Sequence, residues 1–337
     1  MKINPLIDNV KPYTVDPIKV DIVLNANETK QYLFDEVTLG QLDVSKYPDT
    51  NALELRKKLS EKVGVDPSMI TIGNGSTQLL ELTVRAFSEQ NDTIVSFSPS
   101  FSMYDIYANN QGASLKKVPI LEDGIMPVDR MIKTIKDSSP SIVFICNPNN
   151  PTGSMLKKQA VLSIVESTDA LVVVDEAYME FALEQESIIG DIEKYDNVLV
   201  ARTFSKAYGL AGLRLGYMIG SKSLINVINA LKLPYAVNAY SQVMGIKALN
   251  KETKVQQFLK SIIQSRETLY NQLNQFDLKV YPSFANFLYV KSDVPLKDLL
   301  LSKGILIRAF KEGYYRITIG NEMENKALIR ALKEVLT

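Results

Sequence analysis

Five short runs of apolar, largely β-branched residues mark the first two-thirds of the chain: 69–73 (MITIG), 92–97 (DTIVSF), 141–146 (SIVFIC), 170–175 (ALVVVD) and 197–203 (NVLVART). They are hydrophobic at nearly every position instead of alternating, which is the pattern of strands buried on both faces. Segments with helical spacing lie between them, such as Thr77 to Phe87 with Leu79, Leu80 and Val84 on one face. Strands alternating with helices predict a three-layer α/β domain built on a mainly parallel sheet. After Leu233-Pro234 the pattern changes. A long polar, helix-prone stretch over 239–275 precedes VYPS, ANFLYVKS, GILIRAF and YYRITIG, and a closing helix begins at Glu322, which together predict a smaller α+β domain. The expected division is an arm over 1–35, without a clear period and packing with the small domain, a large domain over 36–233 and a small domain over 234–337.

Composition narrows the function classes. A chain of 337 residues with 46% hydrophobic and 23% charged residues has enough apolar surface for a sizeable core. Lys plus Arg and Asp plus Glu both number 38, so no excess positive field exists to hold nucleic acid or an anionic membrane, and neither is expected as a partner. No apolar run reaches the roughly 18 residues needed to cross a bilayer. The start, MKINPLIDNVKPYTVD, has charges and prolines where a signal peptide needs an apolar stretch, and the lone Cys146 cannot form a disulfide within the chain. A cytoplasmic location is expected. The chain has no histidine, which excludes Ser-His-Asp and Cys-His hydrolases and histidine-ligated zinc. No metal is expected, and acid-base chemistry must fall to Lys, Tyr, Asp or Glu.

Four strand ends carry chemistry. Run 197–203 leads into Ser205-Lys206-Ala207-Tyr208-Gly209, with Arg214 eight positions after Lys206. Run 141–146 opens into Asn147-Pro148-Asn149-Asn150-Pro151-Thr152-Gly153, a rigid turn rich in amide donors. Run 170–175 delivers Asp175, followed by Glu176-Ala177-Tyr178. Run 69–73 ends in Gly73-Asn74-Gly75-Ser76-Thr77 and opens a helix, whose free N–H groups suit an anion. Taken singly, these are a solvated lysine, a turn, a helix cap and a weak glycine pattern. The last lacks the third glycine and the following acidic residue of a dinucleotide loop, and there is no GKS or GKT for a P-loop. In a doubly wound sheet, ligands bind outside the carboxyl ends of the strands, so the four features should converge on one crevice. Pyridoxal phosphate needs all four: a lysine, a carboxylate for its ring nitrogen, donors to its phenolic oxygen and a phosphate cradle. Lys206, Asp175, Asn147 with Tyr178, and the 73–77 loop with Ser205 and Arg214 supply them. Cys146, the strand neighbour of Asn147, should point to the opposite face and is expected to be a small core residue.

NPNNPTG, VVVDEAY and TFSKAYGLAGLRLGY resemble the fold-type I, aspartate-aminotransferase-like family of pyridoxal-phosphate enzymes, over nearly the whole chain. The spacings agree: 28 residues from Asn147 to Asp175, 31 from Asp175 to Lys206 and 8 from Lys206 to Arg214. The resemblance implies Lys206 as Schiff base and proton shuttle, Asp175 on the pyridinium, and Asn147 and Tyr178 on the phenolate oxygen. It implies Asn74, Gly75 and Ser76 as backbone donors to the phosphate, with Ser205 and Arg214, and Phe101 stacked on the ring. Within the family, KPY at 11–13, LNANE at 24–28, YPD at 47–49 and RITIG at 316–320 are similar to the histidinol-phosphate aminotransferase branch. That implies transamination of L-histidinol phosphate with 2-oxoglutarate, giving imidazole-acetol phosphate and glutamate. Arg316 and Arg308, with Tyr13, Tyr47, Asn27 and Asn147, would contact substrate, and Tyr47 would reach the cofactor of the neighbouring subunit in a homodimer. An aromatic amino-acid aminotransferase or a threonine-phosphate decarboxylase of the same fold is the alternative. A nicotinamide-dependent oxidoreductase leaves Lys206, Asp175 and NPNNPTG unexplained.

Overall fold

The computed structural model describes residues 18–30, 34, 42–182 and 184–336. Its strands are β1 (Ile22–Leu24), β2 (Ile70–Asn74), β3 (Thr93–Ser98), β4 (Ser114–Pro119), β5 (Ile142–Cys146), β6 (Leu171–Asp175), β7 (Val198–Thr203), β8 (Leu215–Gly220), β9 (Lys279–Tyr281), β10 (Phe287–Lys291), β11 (Ile305–Ala309) and β12 (Tyr314–Thr318). Its helices are α1 (Leu53–Val63), α2 (Gly75–Phe87), α3 (Met103–Gln111), α4 (Val128–Ser138), α5 (Lys158–Val165), α6 (Lys222–Leu231), α7 (Ala239–Leu249), α8 (Glu252–Leu273), α9 (Leu296–Leu301) and α10 (Glu322–Leu336).

The larger sheet has the order β2-β8-β7-β6-β5-β3-β4, and only β8 runs against the rest. The five runs predicted as strands are β2, β3, β5, β6 and β7. Two further strands, β4 and β8, lack a continuous apolar signature of the same clarity: β4 (SLKKVP) is an edge strand with two exposed lysines. Alternate residues of the central strands enter two separate cores, as the period of two requires. Val143, Ile145, Val172, Val174, Val198 and Val200 face one core with α1, α4, α5 and α7. Ile142, Phe144, Leu171, Val173 and Leu199 face the other, with α2, α3 and α6. Helices on both faces explain why β5, β6 and β7 are buried along their whole length.

The smaller sheet has the order β1-β11-β12-β10-β9. β1 joins it in parallel with β11, in the register Ile22 to Ile305 and Leu24 to Ile307, so the early segment is a strand of this sheet. Helices α8 and α9 pack against its strands and α10 packs on both helices, whereas α7 packs on α1 and β8 of the larger body. No helix among the described residues is long and apolar enough to cross a membrane.

Candidate active site

Strand parity decides which side chains meet. The register aligns Cys146 of β5 with Asp175 of β6 and Ala201 of β7, and all three lie on the face shared with Phe144, Val173 and Leu199. At the carboxyl ends of these strands that face opens into a cavity of about 270 Å³, lined by Cys146, Asp175, Thr203, Ser205 and Lys206. Its other walls are Asn25 to Asn27, Ser76 and Thr77 at the start of α2, Ser100 to Ser102, Asn150, Ala177, Tyr178, Arg214, Arg308, Phe310 and Arg316. Segments from Asn25 to Arg316 therefore meet at one crevice.

Asp175 is buried, and its Oδ2 accepts from the Tyr104 hydroxyl at 3.0 Å while Oδ1 accepts from the Ala177 N–H at 3.3 Å. Burial pushes its carboxyl up to about 6, against those two bonds, which favour the charged form. Tyr104, missed in the motif reading, is stacked on Phe144 at 4.4 Å and edge-on to Phe101 at 5.6 Å. Lys206 is half-buried, its Nζ donates to the Ala26 carbonyl at 3.0 Å and it lies 5.8 Å from the Tyr178 ring centre. Burial, with Arg316 and Arg214 nearby, brings its ammonium down to about 8, opposed by Glu28 and Asp175. Its backbone carbonyl accepts from the Thr29 hydroxyl at 2.5 Å, so the 25–29 segment closes over the lysine.

The start of α2 presents Ser76 and Thr77, and Arg214 reaches the Thr77 hydroxyl at 3.3 Å. Gly75 has φ of +75°, and a Cβ there would lie 2.6 Å from an Arg214 guanidinium nitrogen. A Cβ at Gly216 would meet the Ser76 backbone nitrogen at 2.2 Å. Both glycines keep the arginine, the helix start and β8 in close approach.

Several expected site residues are placed otherwise. Asn147 does not line the cavity: its Nδ2 donates to the Leu156 carbonyl at 3.0 Å and its Oδ1 accepts the Leu156 N–H at 2.8 Å. The expected alternation holds with the opposite phase, Cys146 facing the cavity and Asn147 facing away. Asn150, the second asparagine ahead of a proline in the turn, takes the cavity position. Burial pushes the Cys146 thiol up, which leaves it without nucleophilic character. Asn74 is exposed, off the cavity, and its N–H is taken by the Gln78 side chain at 2.8 Å. Tyr47, 80% exposed, stacks on Tyr235 at 4.4 Å and is absent from this chain's cavity. Tyr13 lies outside the described residues. Phe101, Asn27, Ser76, Ser205, Tyr178, Lys206, Arg214, Arg308 and Arg316 all border the cavity. Thr77 and Asn150, which lie in the 73–77 and 147–153 motifs but have no role of their own in the motif reading, do so as well, as does Phe310, which no motif singled out.

Arg308 and Arg316 are directly opposed across β11 and β12, so both point to one face of the small sheet. Arg316 is held by Asn150 Oδ1 at 2.5 Å, the Asn25 carbonyl at 2.7 Å and the Phe287 ring 5.4 Å away. Two like charges opposed across a ladder are unfavourable in themselves, and over a cavity they suit an anionic ligand.

Residues 20–332 match the family model described as Aminotransferase class I and II. The chain belongs to that family. Among its curated relatives, a histidinol-phosphate aminotransferase of Thermoanaerobacter sp. is 37% identical, covering 98% of this chain and 97% of that protein. Histidinol-phosphate aminotransferase 1 of Carboxydothermus hydrogenoformans is 39% identical, covering 97% and 96%. A solved histidinol-phosphate aminotransferase of Sinorhizobium meliloti, crystallised with pyridoxal-5'-phosphate, superposes with a TM-score of 0.91 at 26% identity, covering 99% of this chain and 97% of that one. This aminotransferase thus has the fold-type I architecture, a mainly parallel three-layer α/β body with a smaller α+β part.

The chemistry of the site's donor set fits pyridoxal phosphate: a buried acid, a lysine of lowered pKa, an amide and a phenol on the same cavity wall, and an anion cradle whose glycines leave no room for a Cβ.

Proposed function

We propose that this aminotransferase uses pyridoxal 5'-phosphate to transfer the amino group of L-histidinol phosphate to 2-oxoglutarate, giving imidazole-acetol phosphate and glutamate. The observation that carries the reading is the opposed pair Arg308 and Arg316 on the wall of the cavity that holds Lys206. Histidinol phosphate bears a phosphate ester and no carboxylate, so its anion needs cationic groups at the far end from the amine. Glutamate brings a carboxylate to the same guanidinium pair, and one pocket serves both half-reactions.

When bound, pyridoxal phosphate supplies the electron sink that makes the substrate Cα–H acidic. Ser76, Thr77, Ser205 and Arg214 bind its phosphate, Asn150 and Tyr178 its phenolic oxygen, and Phe101 the face of its ring. Asp175 holds the proton on the ring nitrogen; its burial in an apolar surround strengthens that pairing. Lys206 would hold the cofactor and, as a free amine beside the substrate, would move the proton from Cα to C4′. Its pKa of about 8 supplies free amine near neutral pH. Asn25, Ala26, Asn27 and Phe310 wall the cavity beside Lys206. The same reading makes the exposed Tyr47 a residue of a second copy's site, in a homodimer.

The purified holoenzyme is expected to show a visible absorption band that is lost on adding histidinol phosphate and restored by 2-oxoglutarate. Arg308→Gln should raise KM for histidinol phosphate by about tenfold or more, the worth of one charge-assisted contact. Equal or better turnover of phenylalanine, or release of CO2 from threonine phosphate, would instead assign the chain to the alternative activities.

A further inference from the structure

A closed chain of hydrogen bonds behind Tyr178 gives its hydroxyl a direction. The backbone N–H of Asn27, which can only donate, meets Thr318 Oγ1 at 3.0 Å. Thr318, fully buried, then has its own proton to place, and the Asn27 side-chain Oδ1 lies 3.1 Å away to accept it. That identifies the oxygen of the amide and puts Nδ2 at the Tyr178 hydroxyl, 3.1 Å away. The flipped amide would leave the Thr318 proton buried without an acceptor, at a cost of about 1–3 kcal/mol. The Asn27 backbone carbonyl is held by Asn286 Nδ2 at 3.1 Å, so the residue is fixed from three sides, in the left-handed region at φ of +53°. An aspartate or asparagine tolerates that backbone; most residues do not. Tyr178 is fixed too, edge-on to Phe287 at 5.2 Å.

Since Tyr178 accepts from Asn27, its own proton turns elsewhere, and Tyr178 borders the cavity. We infer that Asn27 is a positioning residue, which makes Tyr178 a donor to the negatively charged oxygen at position 3 of pyridoxal phosphate. This assigns Asn27 a role different from the substrate contact expected of it, and it rests on the cofactor reading above. The chain also joins three distant parts, the segment after β1, the end of β6 and the end of β12. The cofactor's grip therefore depends on the small sheet being in place.

The test measures binding to cofactor-free enzyme by calorimetry, with pyridoxal 5'-phosphate and with its 3-deoxy analogue, which lacks the oxygen in question. Asn27→Asp replaces the amide with a group that only accepts, and it draws the Tyr178 proton toward itself. It is expected to weaken pyridoxal phosphate about tenfold or more, the size of a hydrogen bond to a charged group, and the analogue less than about twofold. Thr318→Val, which releases the amide, should show the same contrast in weaker form, and Thr318→Ser should restore wild-type binding of both. Thr318→Val and Asn27→Gly, the latter free of strain at positive φ, carry the comparison where Asn27→Asp does not fold. Equal losses for both ligands would overturn the inference and leave Asn27 a structural residue. A wild-type enzyme that binds neither ligand would overturn the cofactor reading, and the inference with it.

Discussion

Replacing Asp175 with Asn should stabilise the cofactor-free protein at neutral pH while disabling the site. The carboxylate is 3% exposed, and burial raises its pKa from the ordinary 3.8 to about 6. A carboxyl whose folded pKa lies above its unfolded value binds its proton more tightly in the folded state. Its favourable contribution is present in full below about 3.8 and is lost as pH rises through about 6. At pH 7.5 the ionised group therefore costs on the order of 3 kcal/mol, at about 1.4 kcal/mol per pH unit between the two values. Asn keeps the shape, leaves no cavity and retains an oxygen to accept the Tyr104 hydroxyl, and its Nδ2 gives up only the longer 3.3 Å bond from the Ala177 N–H, as protonation of Oδ1 also would. Urea unfolding of cofactor-free wild type and Asp175→Asn across pH 4 to 8 measures the difference; groups unrelated to position 175 titrate alike in both and cancel. The expected result is a variant more stable by about 3 kcal/mol near pH 7.5, with the advantage vanishing near pH 4. A variant less stable at neutral pH, or an advantage that does not change with pH, would refute the electrostatic argument. In the holoenzyme the sign reverses, because the charge then has a protonated ring nitrogen to oppose.

Two further outcomes test other parts of the site. Because the Lys206 ammonium titrates at about 8, attachment of pyridoxal phosphate to cofactor-free enzyme, trapped by borohydride, should slow about tenfold per pH unit below about 8 and level off above it; a rate still climbing at pH 10 would mean an ordinary lysine. Asn147→Ala removes two buried bonds to Leu156 and should cost about 2–3 kcal/mol of stability with little change in cofactor affinity, whereas Asn150→Ala should do the reverse; the opposite assignment in dialysis and unfolding measurements would return Asn147 to the site.

The chain's own pattern was enough for the strands that form the middle of the large sheet, because burial on both faces leaves a run of apolar residues that any window of five detects. It also determined that Lys206, Asp175, Arg214 and the 73–77 turn end up at one rim, since parallel strands with crossover helices bring their carboxyl ends to the same side. What a period of two cannot supply is its phase. Nothing local tells whether Cys146 or Asn147 faces the ligand, and only the register of β5 against β6, with α2 and α3 packed on one face, puts Cys146 and Asp175 together and leaves Asn147 to Leu156. The supporting side chains were hidden for the same reason. Tyr104 touches Asp175 across 71 residues and Thr318 touches Asn27 across 291, and contacts of that span leave no trace in a short stretch of sequence. Residue type and local spacing chose the chemistry; long-range packing chose which of two neighbouring side chains performs it and which distant hydroxyl holds it in place.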